Sequence, residues 1–326
     1  MIAPYVLRLL CLCLASFFVV NGVAGLTAGF ASRVAVRMAE KMRPRLAARF
    51  LFCVRLLPFL LGIGAVLALC IPSYLWLEPN GTFERVGLAC LTLALLAAAS
   101  WLLSIVRSAR AIAASLRCNQ TWQQESRETL LKEELAPALV VEKEAPLLAL
   151  AGVLRPQLII SESVLRSLSG DQLEVALQHE SAHRVSRDNL KRLVFLLAPD
   201  PLPFFGGFSF LEQAWAKFTE WAADDDATRG DSLRAISLAG ALVRVARMGA
   251  GPRLSLLHTS LLGSDHDLSA RIERLLQTET VHAAQLPRPR MLMATASAGA
   301  AACLATLILW PATLSSVHRL LEQFLR

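Results

Sequence analysis

The pentad His179-Glu180-Ser181-Ala182-His183 decides how the rest of this chain is interpreted, because its two histidines are four residues apart. On an α-helix, residues at that spacing lie one turn apart on the same face, so both imidazoles can bind one Zn²⁺. Glu180 then lies beside the metal and can take a proton from a zinc-bound water. The pattern is short enough to arise by chance, so its meaning depends on the sequence around it.

The sequence before the pentad predicts the helix that this geometry requires. Ser169 and Gln172 have the spacing of a capping box, with Ser169 at the N-cap. Leu173, Ala176 and Leu177 then recur at helical spacing. We therefore predict a helix that begins after Ser169 and carries both histidines.

A catalytic zinc site takes three protein ligands and keeps the fourth position for water, so one further ligand is needed. The best candidate is Glu220, 37 residues after His183. Asp224 lies one helical turn further on, where it can accept an N–H from a ligand histidine and fix the tautomer of the ring. The alternative is a solvated acidic run of Asp224, Asp225 and Asp226, which we expect for the last two.

An HExxH helix followed by a second helix with the pattern Glu-x-x-Ala/Cys-Asp resembles the gluzincin membrane proteases. Two groups share this pattern, the HtpX-type quality-control proteases and the BlaR/MecR-type antibiotic-sensing peptidases. The stretches Leu154–Ser161 and Arg184–Leu190 are more similar to the second group, as is the membrane layout described below. The resemblance covers Leu147–Leu276, and it departs from the usual pattern at Ser181 and Ala223, neither of which is a ligand.

The resemblance implies further site residues. The segment His266–Leu275 is similar to the HPxxxxRIxRL segment of the HtpX-type group, so His266 or Arg271 is expected to stabilise the transition-state oxyanion. The alternative for this segment is a surface helix with ordinary charges. At the far end of the first helix, Asp188 or Asn189 is expected to contact a metal ligand and orient it, without binding the metal itself.

Composition predicts a membrane protein, because 55% of the 326 residues are hydrophobic. Four windows are long and apolar enough to cross a bilayer. They are Leu9–Phe30, Leu56–Leu77, Val86–Val106 and Met291–Leu314.

The basic residues predict the orientation of these spans. Arginines and a lysine crowd the segment that follows the first span, and further arginines follow the third span and precede the fourth. By the positive-inside rule these segments are cytoplasmic, so the N-terminus and the tail after Leu314 are outside. Residue usage favours a bacterial inner (cytoplasmic) membrane.

The resulting fold prediction is α+β and mostly helical, with a cytoplasmic zincin-like metalloprotease domain inserted between spans three and four. The domains are 1–117 (three spans), 118–290 (the metalloprotease) and 291–326 (the fourth span and a short external tail). The predicted strands are Ala138–Glu142, Leu147–Val153 and Gln157–Ile160, and the helices besides the HExxH helix are Ser163–Ser169, Phe210–Thr228 and Asp231–Met248. Gly230 is expected to cap a helix C-terminus.

The apolar segment Pro199–Phe208 between the two metal-bearing helices has two interpretations. In one it folds onto the domain core; in the other it enters the bilayer or closes over the cleft and brings the zinc close to the membrane. The net charge of +7 lies largely in arginines next to the spans, so nucleic-acid binding is not expected. The cysteines predict neither a disulfide framework nor a cysteine zinc site.

The predicted function is an integral-membrane zinc endopeptidase that hydrolyses a protein or peptide substrate at the cytoplasmic membrane face. The receptor-like resemblance implies regulated proteolysis. Because only Ser315–Arg326 follow the fourth span, either a sensor or regulatory partner supplies the signal or the protease works constitutively. Two alternatives stay open, an HtpX-like quality-control protease and a non-catalytic membrane receptor or scaffold; a homo-oligomer is compatible with all of them.

Overall fold

Three long apolar helices form the first part of the chain in the computed structural model, which describes residues 2–77, 86–124, 126–129, 138–142, 146–154, 156–200, 207–249, 257, 259–261, 268–277, 315, 316 and 319. The stretches long and apolar enough to cross a membrane are Tyr5–Glu40, Pro44–Leu77 and Leu88–Gln124. They contain the first two predicted spans and nearly all of the third, and the chain is therefore a membrane protein. The predicted fourth span, Met291–Leu314, lies outside the described residues.

The membrane helices are longer than the predicted spans. They are α1 (Ile2–Glu40), α2 (Pro44–Ala65), a π-helical turn (Val66–Cys70), α3 (Ile71–Leu77) and α4 (Leu88–Gln124). The π-helical turn comes just before Pro72, whose ring would clash with a carbonyl of a regular α-helix. Because α4 continues without a break to Gln124, the predicted domain boundary at 117 falls inside a helix.

A small five-stranded sheet follows the membrane helices. Its strands are β1 (Ser126–Thr129), β2 (Ala138–Val141), β3 (Leu148–Ala151), β4 (Gln157–Ser161) and β5 (Thr259–Ser260). Their spatial order is β1-β2-β4-β3-β5, with β2 and β4 parallel and the other pairs antiparallel. The three predicted strands correspond to β2, β3 and β4, whereas β1 and β5 were not predicted.

Six helices complete the described part of the protein. They are α5 (Glu162–Ser167), α6 (Gly170–Ser186), α7 (Asp188–Leu197), α8 (Gly207–Thr228), α9 (Ser232–Arg247) and α10 (Leu268–Leu276). The capping box predicted at the start of α6 is confirmed, since Ser169 and Gln172 exchange both hydrogen bonds. Gly230 has φ +78° just after the end of α8, a conformation that favours glycine. The mostly helical α+β prediction is confirmed.

Two hydrophobic clusters hold α8 in place. The first packs α6 and α9 against the sheet and includes Val175, Ile160 and Leu242. The second joins α7 and α8 to the membrane helices α1 and α2 and includes Phe195 and Trp215. The helix that carries Glu220 is therefore packed between the sheet-bearing part and the membrane helices.

Candidate metal centre

The HExxH residues lie on α6, one turn before its end. His179, Glu180 and His183 are all fully buried. The helix stops at Ser186 because Arg187 adopts a left-handed conformation, with φ 54°, and the next helix begins at Asp188. Asp188 and Asn189, which were expected at the far end of the first helix, therefore lie at the start of the next helix.

The turn at Arg187 brings Asp188 back beside the metal-binding face of α6. Oδ2 of Asp188 lies 2.9 Å from Nδ1 of His183, and its Oδ1 accepts a hydrogen bond of 2.8 Å from Lys191. Asp188 thus has the contact with a histidine that the sequence predicted. Asn189 has different partners from those predicted: its amide donates to the carbonyl oxygens of Leu150 and Gly152 and so ties α7 to the end of β3.

His179, His183 and Glu220 come together in a compact cluster. One ligand atom from each lies within 4.8 Å of the others. The two Nε2 atoms are 3.2 Å apart, and the Glu220 carboxylate oxygens lie 3.5 Å from Nε2 of His179 and 3.7 Å from Nε2 of His183. The three residues predicted as metal ligands from the sequence therefore face one another.

Asp224 and Arg271 extend this cluster. Nδ1 of His179 lies 3.0 Å from Oδ1 of Asp224, at ion-pair distance but without the geometry of a full hydrogen bond. Arg271 donates to both oxygens of Asp224 at 2.7 and 2.9 Å and to the carbonyl of Leu261 at 2.8 Å, and it lies 3.1 Å from Glu220.

Every nitrogen of the Arg271 guanidinium therefore contacts a protein oxygen, and the side chain is 1% exposed. This geometry makes Arg271 the counter-ion of two carboxylates. The oxyanion role expected of Arg271 stays a prediction, because Asp224, Leu261 and Glu220 already contact all three of its nitrogens. His266 lies outside the described residues.

The solvent exposure predicted for Asp225 and Asp226 agrees with the structure. Their side chains are 46% and 38% exposed and pair with Arg274 and Arg45 at the surface. Asp224, in contrast, is 1% exposed, although the three aspartates are consecutive. The helical phase of α8 separates the buried aspartate from its neighbours.

Charge at the site is unbalanced. The described residues around the cluster include four buried carboxylates and two cations, namely Glu180, Asp188, Glu220 and Asp224 against Arg271 and Lys191. When all are ionised and the two histidines are neutral, two negative charges are left around the fully buried His179 and His183. A divalent cation would balance them.

The pKa shifts of the ligand residues are caused by the same closely spaced buried charges. Burial alone would raise the pKa of Glu220, but His183 and Arg271 outweigh it and hold that pKa well below its usual range. Burial alone would lower the pKa of His183, but Glu220 and Asp188 raise it to about 10. The carboxylates thus stay ionised and attract positive charge to the two imidazoles.

Glu180 has a different environment from the other carboxylates. It is fully buried, and neither of its carboxylate oxygens has a hydrogen-bond partner among the described residues. Burial raises its pKa to about 7, against the opposing effect of the two histidines. A carboxylate with a pKa near neutrality can both accept and return a proton, as a general base requires.

The donor set fits a zinc ion. Each Nδ1 faces an aspartate, which favours the Nδ1–H tautomer and leaves a lone pair on each Nε2. Without metal, a proton between the two Nε2 atoms, which are 3.2 Å apart, takes the place that a metal cation would fill. Two imidazole nitrogens and one carboxylate are a ligand set that catalytic zinc sites use.

Two contacts at the site were not predicted. Lys191 could have been found, because it is three residues after Asp188 at the start of a helix. The ion pair of Arg271 with Asp224 spans 47 residues of sequence and leaves no local pattern. Only the fold brings these two side chains together.

Comparison with known proteins gives one local similarity. No family model matches the chain. Over 84 residues, or 26% of the chain, the sequence is 34% identical to a protein named "Protease HtpX homolog" from Archaeoglobus fulgidus. The similarity is local. It spans 22% of that protein, so the chain is similar to part of a protein named as a protease, and the more specific resemblance to BlaR/MecR-type peptidases stays a prediction.

Proposed function

We propose that this chain is an integral-membrane zinc-dependent endopeptidase that cuts protein substrates at the cytoplasmic membrane face, in the manner of an HtpX-type protease. The observation that carries the proposal is the buried His179, His183 and Glu220 cluster with the unpartnered carboxylate of Glu180 on the same helix. The local similarity to an HtpX homolog supports the same class. The external N-terminus, which follows from the distribution of basic residues, and the bacterial inner membrane, which follows from residue usage, are part of the proposal.

The proposed roles follow from the contacts. His179 and His183 bind the metal through Nε2, because their Nδ1 atoms face Asp224 and Asp188. Glu220 supplies the carboxylate ligand. When bound, Zn²⁺ supplies Lewis acidity, which polarises the scissile carbonyl and acidifies a water molecule.

Glu180 is the proposed general base. Its carboxylate takes a proton from the attacking water and passes it to the departing amine, and burial, which raises its pKa, favours this exchange. Asp188 and Asp224 are positioning residues that hold each imidazole in the tautomer that binds metal. Arg271 keeps Asp224 and Glu220 ionised through its buried contacts.

The test is proteolysis by the purified full chain in detergent with zinc, using an unfolded soluble protein and a detergent-denatured membrane protein as substrates. Glu180→Gln removes the base without changing the size of the side chain and is expected to lower the rate by a factor of about 10²–10⁴. Glu162→Gln is the matched control, because Glu162 is a surface residue paired with Arg166, and it is expected to leave the rate unchanged.

The same experiment separates the alternatives. Full activity of Glu180→Gln would contradict the proposed base. A zinc-loaded wild type that cuts neither substrate would favour the non-catalytic receptor or scaffold. In the regulated-proteolysis alternative the substrate is one cytoplasmic protein. That alternative would be favoured if the inactive Glu180→Gln variant bound a single cytoplasmic protein rather than a mixture of unfolded membrane proteins.

A further inference from the structure

Two cysteines from different parts of the membrane region meet near the N-terminal end of α1. Sγ of Cys13, on α1, lies 3.9 Å from Sγ of Cys70, the last residue of the π-helical turn. Both are free thiols, and they are 57 residues apart in the sequence. Only the packing of the helices brings them together, so the spacing of the cysteines predicted no such pair.

The π-helical turn directs Cys70 toward α1. The amide of Ile71 donates to the carbonyl of Val66, five residues earlier, so this turn holds one residue more than an α-helical turn. Cys70 ends the turn with its side chain 2% exposed and in contact with Cys13 and Ser16 of α1. Single π-helical turns inside longer helices are frequent at functional sites.

Ser16 gives the same sulfur a polar contact. Its hydroxyl donates to Sγ of Cys70 at 3.8 Å. A hydrogen bond to a thiolate stabilises it, and the thiolate is the form of cysteine that reacts with oxidants and disulfides. The contact with Ser16 therefore favours reaction at Cys70.

The depth of the cysteine pair follows from the residues near it. Tyr5 and Tyr74 have ring centres 4.9 Å apart, and tyrosines are typical of the membrane–water interface. Cys70 lies four residues before Tyr74, which is about 6 Å along a helix axis, and Cys13 lies five residues after Arg8, or about 8 Å. In the proposed orientation, the pair is therefore in hydrocarbon, just below the external headgroups.

The surroundings distinguish a disulfide from a metal site. Structural zinc and iron–sulfur sites take four protein ligands. Within the part of the chain that the structure describes, no third histidine, cysteine or carboxylate has a ligand atom within 4.8 Å of both sulfurs. The two thiols stand as a pair, and the product that two adjacent thiols form on oxidation is a disulfide.

The bond requires only a small movement. The sulfurs of a disulfide are about 2.05 Å apart, so those of Cys13 and Cys70 must approach by about 1.9 Å. Rotation of either side chain about its Cα–Cβ bond, from one staggered rotamer to another, moves the sulfur by a distance of that order. The helices therefore need little rearrangement.

We propose that Cys13 and Cys70 are a redox-active pair that closes to a disulfide between α1 and the π-helical turn. The oxidant that reaches this depth is lipid-soluble, and its chemical class is the quinones. Two S–H bonds break and one S–S bond forms, and one quinone takes up both electrons and both protons and leaves as the hydroquinone. A thiol reductant reverses the reaction. The pair stands on these contacts and does not depend on the proposed protease function.

The disulfide joins two parts of the membrane region whose opposite ends support α8. The later part of α1 and the first part of α2 pack against α8 in the second hydrophobic cluster. A cross-link over 57 residues removes conformational freedom from the unfolded chain and so stabilises the folded one. Oxidation is therefore expected to make the helix bundle more resistant to unfolding.

The test is disulfide mapping in the full chain in lipid nanodiscs, incubated with a short-chain ubiquinone analogue and blocked with a maleimide before digestion. Trypsin gives the peptides Leu9–Arg33, which contains Cys11 and Cys13, and Leu56–Arg85, which contains Cys70. The proposal predicts that these two peptides become linked, with about one hydroquinone formed per linked chain, and that dithiothreitol separates them.

Two variants identify the sulfur on α1. Cys13→Ser should abolish the linked peptide. Cys11→Ser is the matched control, because Cys11 lies in the same tryptic peptide two residues away, and it should keep the link. Loss of the link in Cys11→Ser but not in Cys13→Ser would overturn the pair.

Molecular iodine, a lipid-soluble oxidant of a different class, separates the pair from its oxidant. A wild type that forms no linked peptide with either iodine or the quinone would overturn the pair. A link formed with iodine and not with the quinone would overturn the quinone as oxidant and leave the pair standing.

The wild type alone keeps the proposal testable where a variant does not fold. Fragmentation of the linked peptide in a mass spectrometer shows whether Cys11 or Cys13 carries the bond, and a bond on Cys11 would overturn the pair. The midpoint of thermal unfolding should be higher in the oxidised wild type than in the reduced one, and equal in the two states of Cys13→Ser. An oxidised wild type that unfolds at the same temperature as the reduced one would overturn the expected stabilisation.

Discussion

Replacing Asp188 by asparagine isolates the contribution of a residue that binds no metal in the proposed site. The side chain keeps its size but loses its charge, so His183 loses the acceptor that lies 2.9 Å from its Nδ1. The asparagine amide can also turn its NH₂ toward the ring, which favours the tautomer with the proton on Nε2. That tautomer has no lone pair left for the metal.

The magnitude follows from the surroundings of Asp188. Loss of a carboxylate behind a ligand histidine lowers metal affinity by about 10–100-fold, or about 1.4–2.7 kcal/mol at about 1.4 kcal/mol per tenfold. The contact with Lys191 adds little, because that side chain is 29% exposed and can pair with water instead. We therefore expect the zinc affinity to fall while the fold is retained.

The assay is a competition titration of zinc between the purified protein and a chromophoric chelator. Asp226→Asn is the matched control, because Asp226 is a surface residue, 38% exposed, that contacts only Arg45 among the ion pairs of the described residues. It should bind zinc as tightly as the wild type. If Asp188→Asn also bound zinc as tightly as the wild type, the reasoning about the His183 tautomer would be refuted.

Three further predictions concern stability, each measured as the thermal unfolding of the zinc-free protein in detergent. Arg271→Met leaves two buried carboxylates without their counter-ion and should destabilise the protein by about 3–5 kcal/mol. The control Arg274→Gln removes a more exposed ion pair and should change stability by less than about 1 kcal/mol. Equal losses of stability in the two variants would contradict the argument that burial makes the Arg271 pairs important. Gly62→Ala should destabilise the protein by about 1–3 kcal/mol, because an added Cβ would lie 2.9 Å from the ring of Phe17 on α1. Gly64→Ala is the control and should not destabilise, because a Cβ there meets nothing within 4 Å. A larger loss of stability in Gly64→Ala than in Gly62→Ala would contradict this packing of α1 on α2. Ser169→Ala removes the capping box of α6 and should cost about 1 kcal/mol, and an unchanged midpoint would mean that the cap contributes nothing.

The parts of the site that local spacing determines could be predicted from the sequence. The capping box at Ser169 sets the start of α6, and the spacing of four places His179 and His183 on one face. The same spacing relates Glu220 to Asp224 on α8. In each case the information lies within one helical turn, where geometry is nearly independent of the rest of the fold.

The break after α6 could not be predicted in this way. Arg187 takes a left-handed conformation that arginine seldom adopts, and no glycine or proline marks the position. Tertiary contacts hold it, because Asn189 is tied to β3 and Asp188 to His183. Local propensity favours a continuous helix, and the long-range contacts outweigh it.

Strands β1 and β5 were missed for a related reason. β5 has two residues, Thr259 and Ser260, and forms a strand only because it pairs with Ala149 and Leu150 of β3. Such a short segment has no periodicity of its own. The contact of Asn21 with Pro199 is likewise set by the packing of α7 on the membrane helices. Of the segment Pro199–Phe208, for which the sequence left two interpretations open, residues 201–206 lie outside the described residues.

The central claim is that His179, His183 and Glu220 bind one zinc ion, and the most direct test is the metal content of the detergent-purified full chain after zinc is supplied. A double variant, His179→Ala with Glu220→Ala, removes two of the three ligands and is measured beside the wild type. The account predicts about one zinc per wild-type chain and almost none in the variant, because one remaining ligand cannot hold the ion in place. A wild type that stays free of metal, or a variant that binds as much zinc as the wild type, would contradict it.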